Sequence, residues 1–328
     1  MRWLLSCAAL VLTPVAAFAE PDTDSIVNGH VMPGVRALSV AATQLSRAAE
    51  NDCAADSPSL RTAYHEAFDA WISVSHLRFG PSEQEDRAFA LAFWPDTRGK
   101  TPKALAGLLA SEDAAVLSLR DFAEVSIAAR GFYALEFLLY DPAYSEGDAY
   151  HCALVRAVSG DIARIADEIL IDWEGGFASA MINPDGAPYK TQAEVAQQFF
   201  TSLTTSLEFT SDVRLGRPLG TFDRPRPKRA EAWRSGRSLR HVVLSLQANQ
   251  DLARYLSDGD EGVDTAFQRA IAAATELNDP IFANVDDPTG RFRVEVLKQV
   301  VDSLRDTIAQ DLGPALGIAA GFNAMDGD

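Results

Sequence analysis

Cysteine is scarce in this sequence, which has only Cys7, Cys53 and Cys152 in 328 residues. None of the three has a second cysteine nearby, which argues against a redox pair or a cysteine zinc site. The sequence has no Cys-x-x-Cys-His motif, so covalent haem attachment is excluded. It also lacks a phosphate loop, a dinucleotide fingerprint and a Ser-His-Asp order. Several large enzyme classes are therefore poor matches for this chain.

Long apolar runs are few as well. After the first nineteen residues, no segment offers the roughly eighteen uninterrupted apolar residues that suggest a membrane-spanning helix. The first nineteen residues themselves predict a signal peptide: Arg2 precedes a mostly apolar stretch, and Ala17-Phe18-Ala19 forms a small-x-small cleavage site. We therefore expect a mature protein that begins near Glu20, is periplasmic or otherwise extracytoplasmic, and has no transmembrane segment.

Export changes how the cysteines are interpreted. Removal of the signal peptide takes Cys7 with it and leaves Cys53 and Cys152. In an oxidising compartment two thiols most simply form one disulfide. The alternative, two unpaired thiols, stays open at this point.

Positively charged residues are fewer than negatively charged ones. The chain has 29 Lys and Arg against 46 Asp and Glu, a formal net charge of −17. The main basic run, residues 224–229, is interrupted by two prolines and resembles a loop. Nucleic acid and anionic membrane surfaces are therefore poor candidates as partners.

Alternating strand-like patterns are absent, whereas helical periodicity dominates. Tyr64, Ala67, Phe68, Trp71 and Val74 recur at spacings of three and four, as on one face of a helix. Similar patterns cover residues 31–49, 115–140, 149–173, 192–211, 238–256, 263–277 and 291–311. The sequence predicts an all-α fold.

Glycine and proline mark the best domain boundary, in residues 174–188. Helical patterns lie on both sides of this segment, and each side is long enough for a bundle of its own. We expect a signal peptide over residues 1–19, a first four-helix-bundle-like domain over 20–180 and a second over 181–328.

Glu136 is the only charged residue between Arg130 and Asp141. In a helix this apolar it is expected to be at least partly buried, and a buried carboxylate must be paired or take up a proton. Tyr133, three residues earlier, lies on the same helical face. Gly131 costs about 1 kcal/mol inside a helix, which a close backbone contact would explain. A paired core acid and a functional site are both consistent with this pattern.

Other polar residues could join such a site. His30 precedes the first long helix, where it could reach a site between helices or act as a cap or core residue. Arg237, Ser238 and Arg240 lie where a later helix begins. Their donors could neutralise Glu136 or bind an anion. Alternatively, Ser235 or Ser238 caps the helix and the arginines are solvated.

Residues 65–69 contain an incomplete zinc-protease signature. His65 and Glu66 are followed by Asp69 where the signature needs a second histidine. Because Tyr64, Phe68 and Trp71 mark the buried face, the other face is expected to be solvated. That face carries His65, Asp69, Ile72 and His76.

Taken together, several segments resemble the imelysin-like family. Residues 131–139 are similar to its Gly-x-His-x-x-Glu hallmark and the apolar run that follows, with Tyr133 in the histidine position. Other similar segments, from about His30 to about Ser238, are Trp71 with Gly80-Pro81, Trp94-Pro95-Asp96, residues 212–220 and residues 231–238.

The resemblance implies an exported protein of two helical bundles, from a family first classed as peptidases and often linked to iron or haem acquisition. It implies iron or another divalent metal as a possible cofactor, Glu136 as the metal-ligand candidate, and iron- or haem-uptake components or a small ligand as partners. Tyr133 cannot act as the usual neutral imidazole ligand. The sequence therefore favours a binding or accessory protein without peptidase activity. The expected site is a pocket between the two bundles, and its ligand-binding candidates are Gly131, Tyr133, Glu136, His30, Arg237, Ser238 and Arg240. The alternative is a metallopeptidase in which His65, Asp69 or His30 replaces the missing ligand.

Overall fold

The computed structural model describes residues 21–145, 147 and 149–318, and within them it contains helices and no β-strand. The all-α prediction is confirmed. The predicted signal peptide lies outside the described residues. The principal helices are α1 (Met32–Asn51), α2 (Pro58–Val74), α3 (Lys100–Ser111), α4 (Gly131–Tyr140), α5 (Ala149–Asp172), α6 (Gln192–Glu208), α7 (Ser238–Leu256), α8 (Glu261–Leu277) and α9 (Pro288–Thr307).

Helix α2 illustrates how local sequence sets these elements. The hydroxyl of Ser57 accepts the N–H of Leu60, and Pro58 occupies the first helical position, where a missing N–H costs nothing. Leu60, Tyr64 and Phe68 then form one buried face.

The helices pack in two groups joined through α2 and α7. Helix α1 packs against α2 and α5, and α4 packs against α5. Later in the chain, α7 packs against α6 and α8, while α9 packs against α8. Helix α7 also packs against α2, so residues far apart in sequence meet there. The division into domains 20–180 and 181–328 stays a prediction. No helix in the described residues is long and apolar enough to cross a bilayer.

Among the described residues, two short π-helical segments carry buried polar side chains. Val27–Val31 contains His30, and Phe209–Leu215 contains Arg214. A π-helical turn rotates the following side chains relative to a regular α-helix, and such turns are frequent at functional sites.

The two cysteines among the described residues form a disulfide. Cys53 lies just after α1 and Cys152 lies near the start of α5, and their sulfurs are bonded. The prediction of one bridge is confirmed, and the alternative of two unpaired thiols is wrong.

Loss of this disulfide is expected to lower the free energy of unfolding by roughly 2–4 kcal/mol, because a bridge spanning 99 residues restricts the unfolded chain. The measurement is urea unfolding of the oxidised wild type against the Cys53→Ser, Cys152→Ser double variant. Reductant should lower the stability of the wild type and leave that of the double variant unchanged. Equal stability of the two oxidised proteins would contradict the prediction.

The start of α4 is fixed by a buried ion pair. Arg130, which immediately precedes the helix, donates from Nε and Nη2 to the fully buried carboxylate of Asp161 in α5, at 2.8 and 3.1 Å. Arg164 donates to the same carboxylate. This bidentate contact sets where α4 begins relative to α5.

Gly131 is the first residue of α4 and has a φ of +74°, so it does not lie inside the helix as the sequence suggested. The close backbone contact expected there is present. A Cβ at Gly131 would lie 2.2 Å from the carbonyl oxygen of Ala90 and 2.3 Å from that of Leu91. Only glycine fits this approach without movement of the backbone.

Candidate functional site

Glu136 is buried, with 2% of its surface exposed. Its Oε1 accepts hydrogen bonds from the backbone N–H and the hydroxyl of Ser235, at 2.9 and 2.8 Å. Burial raises the pKa of the Glu136 carboxyl, and the Ser235 donors and Arg234 offset part of that rise. The acid therefore joins α4 to the segment that precedes α7.

Tyr133, one turn earlier, contacts a second buried acid. Its hydroxyl donates to Oε1 of Glu231 at 2.5 Å, and Nε of Arg214 donates to the other oxygen at 2.7 Å. All three side chains are buried. Burial alone would raise the pKa of Glu231, but Arg214, His241 and Tyr133 outweigh it and hold that pKa at about 2. Glu231 is thus ionised at neutral pH and ties α4 to the π-helical segment.

His241 completes this network from α7. Its Nδ1 lies 3.2 Å from Oε2 of Glu231, and its Nε2 accepts from Nε of Arg237 at 3.3 Å. Because arginine only donates, the ring proton of a neutral His241 is on Nδ1, facing Glu231. Burial lowers the pKa of His241 to about 4, despite the opposing effect of Glu231.

The predicted donors Arg237 and Arg240 contact α2 instead of Glu136. Arg237 donates from Nη1 to Nδ1 of His65 at 2.5 Å and forms an ion pair with Asp69. Arg240 donates from Nε to Asp69 at 2.7 Å. Burial lowers the pKa of Arg237 to about 10. Burial, and then the charge of Arg237, lower the pKa of His65 to about 4. In the described part of the chain, no hydrogen bond or ion pair joins Glu136 to Arg237 or Arg240.

The prediction of a solvated second face on α2 is therefore wrong. Ile72 is 1% exposed and His76, just beyond the helix, is 4% exposed. Asp69 is mostly covered by its two arginine partners. The reason is that α2 packs against α1 on one side and α7 on another, so the buried surface extends around the helix.

His30 belongs to a different cluster. Its Nδ1 lies 2.6 Å from a carboxylate oxygen of Asp251, and its Nε2 lies 2.8 Å from Nε2 of His76. Asp251 is thirteen residues beyond Ser238, or about 20 Å along α7. The structure therefore does not bring His30 to Glu136. Ser238 is buried in the first turn of α7, and its hydroxyl has no hydrogen-bond partner among the described residues.

Two cavities share Trp94 and Tyr133, whose nearly parallel rings have centroids 6.1 Å apart. The first, which we call the aromatic cavity, has a volume of about 440 Å³. Its walls include Trp71, Phe89, Trp94 and Phe209 and the polar side chains of His76, Arg214 and Glu231.

The second, which we call the basic cavity, has a volume of about 300 Å³. Its walls include Glu136 together with Arg217, Lys228, Arg229 and Arg234. Glu136 and Tyr133 thus both line the basic cavity, whereas Arg237, Ser238 and Arg240 line neither cavity.

The side chains around Glu136 do not fit a divalent metal. One of its oxygens already accepts two hydrogen bonds from Ser235, and the hydroxyl of Tyr133 is committed to Glu231. Within residues 21–145, 147 and 149–318, no group of three His, Cys, Asp or Glu side chains is arranged to hold a metal ion. Protein zinc sites need at least three such ligands.

Sequence reasoning missed the most heavily connected residues of the site. Arg214 and Glu231 are 17 residues apart and meet as a buried pair beneath Tyr133. Their only signal was that both lie in segments similar to the imelysin-like family, and nothing there indicated that they pair.

Comparisons with known proteins agree with this fold. The sequence model of the imelysin family matches residues 31–308. The crystal structure of an imelysin-like protein from Psychrobacter arcticum 273-4 is 20% identical, with a TM-score of 0.76 over 92% of this chain and 96% of that one. A protein from Parabacteroides distasonis ATCC 8503, provisionally described as an iron-regulated protein A precursor, is 14% identical, with a TM-score of 0.74 over the same shares. A search of curated proteins finds no significant match.

Proposed function

The chain belongs to the imelysin family, and we propose that it is an exported binding protein that acts as an accessory factor in iron or haem acquisition, with its ligand in the aromatic cavity. The observation that carries this proposal is the cavity itself, which lies where α2, α6 and the Phe209–Leu215 segment meet. Its volume of about 440 Å³ is within the range of small-molecule sites.

The walls of the aromatic cavity support an organic ligand. Such sites combine aromatic surfaces with a few fixed polar groups. Here the polar groups include His76, whose Nδ1 is buried without a partner. If Nδ1–H of His30 donates to Asp251, then Nε2 of His30 accepts from Nε2–H of His76. This leaves Nδ1 of His76 as an acceptor. Burial and then His30 lower the pKa of His76 well below its usual value, so the ring stays neutral.

The candidate peptidase residues are engaged elsewhere, which favours binding over hydrolysis. The metallopeptidase alternative needs His65, Asp69 or His30 to replace the ligand lost at Tyr133. His65 and Asp69 are held by Arg237, and His30 contacts Asp251. None of these contacts directs a second metal ligand towards Glu136.

The links to export and iron rest on separate observations. A disulfide between Cys53 and Cys152 is typical of an oxidising compartment and agrees with the signal-like first nineteen residues. The similar protein from Parabacteroides distasonis is described as iron-regulated, which favours the same context for this chain.

The proposal is tested by titrating the mature protein with haem and, separately, with ferric iron, while tryptophan fluorescence is followed. Thr205 lines the aromatic cavity, whereas its neighbour Thr204 does not, although both are half-buried on α6. We expect Thr205→Phe to weaken binding of at least one probe by about tenfold, because it fills the cavity, and Thr204→Phe to leave it unchanged. Binding of neither probe to the wild type, or equal loss in both variants, would contradict the proposal.

A second prediction concerns metal content. Wild type and Glu136→Ala are expected to bind iron(II) and zinc equally weakly, because Glu136 belongs to no group of three metal-capable side chains among the described residues. The measurement is metal analysis of the purified mature proteins followed by titration. Stoichiometric metal that disappears with Glu136→Ala would contradict the prediction and favour the metallopeptidase.

A further inference from the structure

The basic cavity is unusual for so acidic a chain. Although the formal net charge is −17, Arg217, Lys228 and Arg229 line this one cavity, and no ion pair involves any of them in the described part of the structure. We propose that the basic cavity binds a small multivalent oxyanion, one that carries two or more carboxylate or phosphate groups. This site is distinct from the aromatic cavity and does not depend on the ligand bound there.

Arg217 is the main reason for this assignment. Its side chain is half-buried, and its Nε is buried without a hydrogen-bond partner. The guanidinium lies over the ring of Trp94, 5.7 Å from the centroid. Burial and the nearby charge of Arg229 lower the pKa of Arg217, which means that the cation is held where it is disfavoured. A bound anion would stabilise the Arg217 cation against burial and against the charge of Arg229, and it would supply an acceptor for Nε.

Aromatic rings support the other cations of the cavity. Lys228 lies 5.6 Å from the ring centroid of Trp233, and Arg234 lies 3.8 Å from that of Phe137. Such contacts fix the direction of a charged group without neutralising it. Arg234 is already paired with Asp141, at 2.7 Å, so the unpaired positive charge comes from Arg217, Lys228 and Arg229.

The two acids that line the cavity do not cancel this charge. The carboxylate of Asp96 accepts hydrogen bonds from the backbone N–H groups of Arg98 and Thr101, at 3.2 and 2.8 Å, near the start of α3. Glu136 is buried against Ser235, and burial raises its pKa. The three unpaired cations, Arg217, Lys228 and Arg229, therefore outnumber the two acids that line the cavity.

The dimensions and donors of the cavity define the ligand class. A volume of about 300 Å³ is at the lower end for small-molecule sites, which suits a compact ligand. Arginine presents a planar fork that matches carboxylate and phosphate oxygens, and a second arginine and a lysine lie beside it. A polycarboxylate and a pyrophosphate share this chemistry, so the experiment must separate them.

The test is isothermal titration calorimetry of the mature protein with citrate, with pyrophosphate and with acetate, at low and at high salt. We expect citrate or pyrophosphate to bind, acetate to bind far more weakly, and the affinity to fall as salt rises. Arg217→Gln should weaken binding by about tenfold or more. Arg224→Gln is the matched control, because it removes the same charge from an exposed residue outside the cavity, in the basic run 224–229 that also contains Lys228 and Arg229.

The double variant Lys228→Gln, Arg229→Gln repeats the test with exposed residues, in case Arg217→Gln alters folding. A comparable loss in this variant, with an unchanged unfolding midpoint, would support the assignment. Absence of binding by both citrate and pyrophosphate at low salt would overturn it. Equal effects of Arg217→Gln and Arg224→Gln would also overturn it, because they would indicate a general charge effect.

Discussion

Replacing Gly131 with alanine is expected to lower the free energy of unfolding by roughly 2–5 kcal/mol. The positive φ of +74° disfavours an L-residue by about 1–2 kcal/mol. The new Cβ would also lie 2.2 and 2.3 Å from two backbone carbonyl oxygens, which cannot rotate away as a flexible side chain would. Relieving such overlap requires a backbone shift that costs roughly 1–3 kcal/mol more. Urea unfolding monitored by circular dichroism measures the total change in the free energy of unfolding.

Gly107 provides a matched control for this substitution. It lies in α3 with an exposed surface, and a Cβ there would meet nothing within 4 Å. Gly107→Ala is therefore expected to raise the free energy of unfolding by about 0.5–1 kcal/mol, because alanine restricts the unfolded chain. If Gly131→Ala were as well tolerated as Gly107→Ala, the close approach at the start of α4 would be contradicted.

Gly131 therefore affects the site only by setting the position of α4. It lets α4 begin against the carbonyl groups of Ala90 and Leu91, and that placement directs Tyr133 to Glu231 and Glu136 to Ser235. A ligand-binding defect in Gly131→Ala would therefore report displacement of α4. The glycine of the hallmark motif is thus explained without any contact to a ligand.

Much of the fold was predictable because it depends on local pattern. The helical spacing of Tyr64, Phe68 and Trp71 marks a face that is buried in the structure. The isolation of Glu136 in an apolar run predicted a buried acid, and it is buried. Cys53 and Cys152 could be paired because the predicted loss of the signal peptide would leave no other cysteine, and they are bonded.

The connections of the site were not predictable because they depend on which helices meet. His76 and Ile72 looked solvated from the pattern of α2 alone, yet contacts made by other elements bury them. Arg237 and Arg240 looked like partners for Glu136, but they meet Asp69. Glu231 follows a basic run in an irregular segment, where a charged residue usually faces solvent. Only the three-dimensional arrangement brings it to Tyr133 and Arg214.

The two buried glutamates of the site have opposite effects on stability as pH changes. The pKa of Glu136 is raised in the folded protein, so the folded state favours its protonated form, and its contribution to stability is lost as pH rises through that pKa. The pKa of Glu231 is held at about 2, below the ordinary value near 4.3 of an unfolded chain. Its contribution is therefore fully present above the unfolded value and is lost as pH falls through the folded one.

Glu231→Ala is expected to lower the free energy of unfolding at pH 7 by roughly 3–5 kcal/mol, because it leaves Arg214 buried without its carboxylate partner. It also removes the acceptor for the hydroxyl of Tyr133. The control is Glu174→Ala, which breaks an exposed ion pair with Arg36. The Glu174 side chain is 48% exposed and that of Arg36 is 57% exposed. That change should cost less than about 1 kcal/mol.

The pH dependence and a second substitution separate the ion pair from simple loss of packing. Glu231→Gln keeps the size of the side chain, so its stability should approach that of the wild type as pH falls from about 5 towards 2, where the wild-type carboxylate takes up its proton. Adding Arg214→Met removes the stranded charge, so the double variant should be less destabilised than the sum of the single ones. A stability difference that stays constant over this pH range, together with additive effects, would contradict the role assigned to the Arg214–Glu231 pair. The destabilisation would then come from altered packing beneath Tyr133.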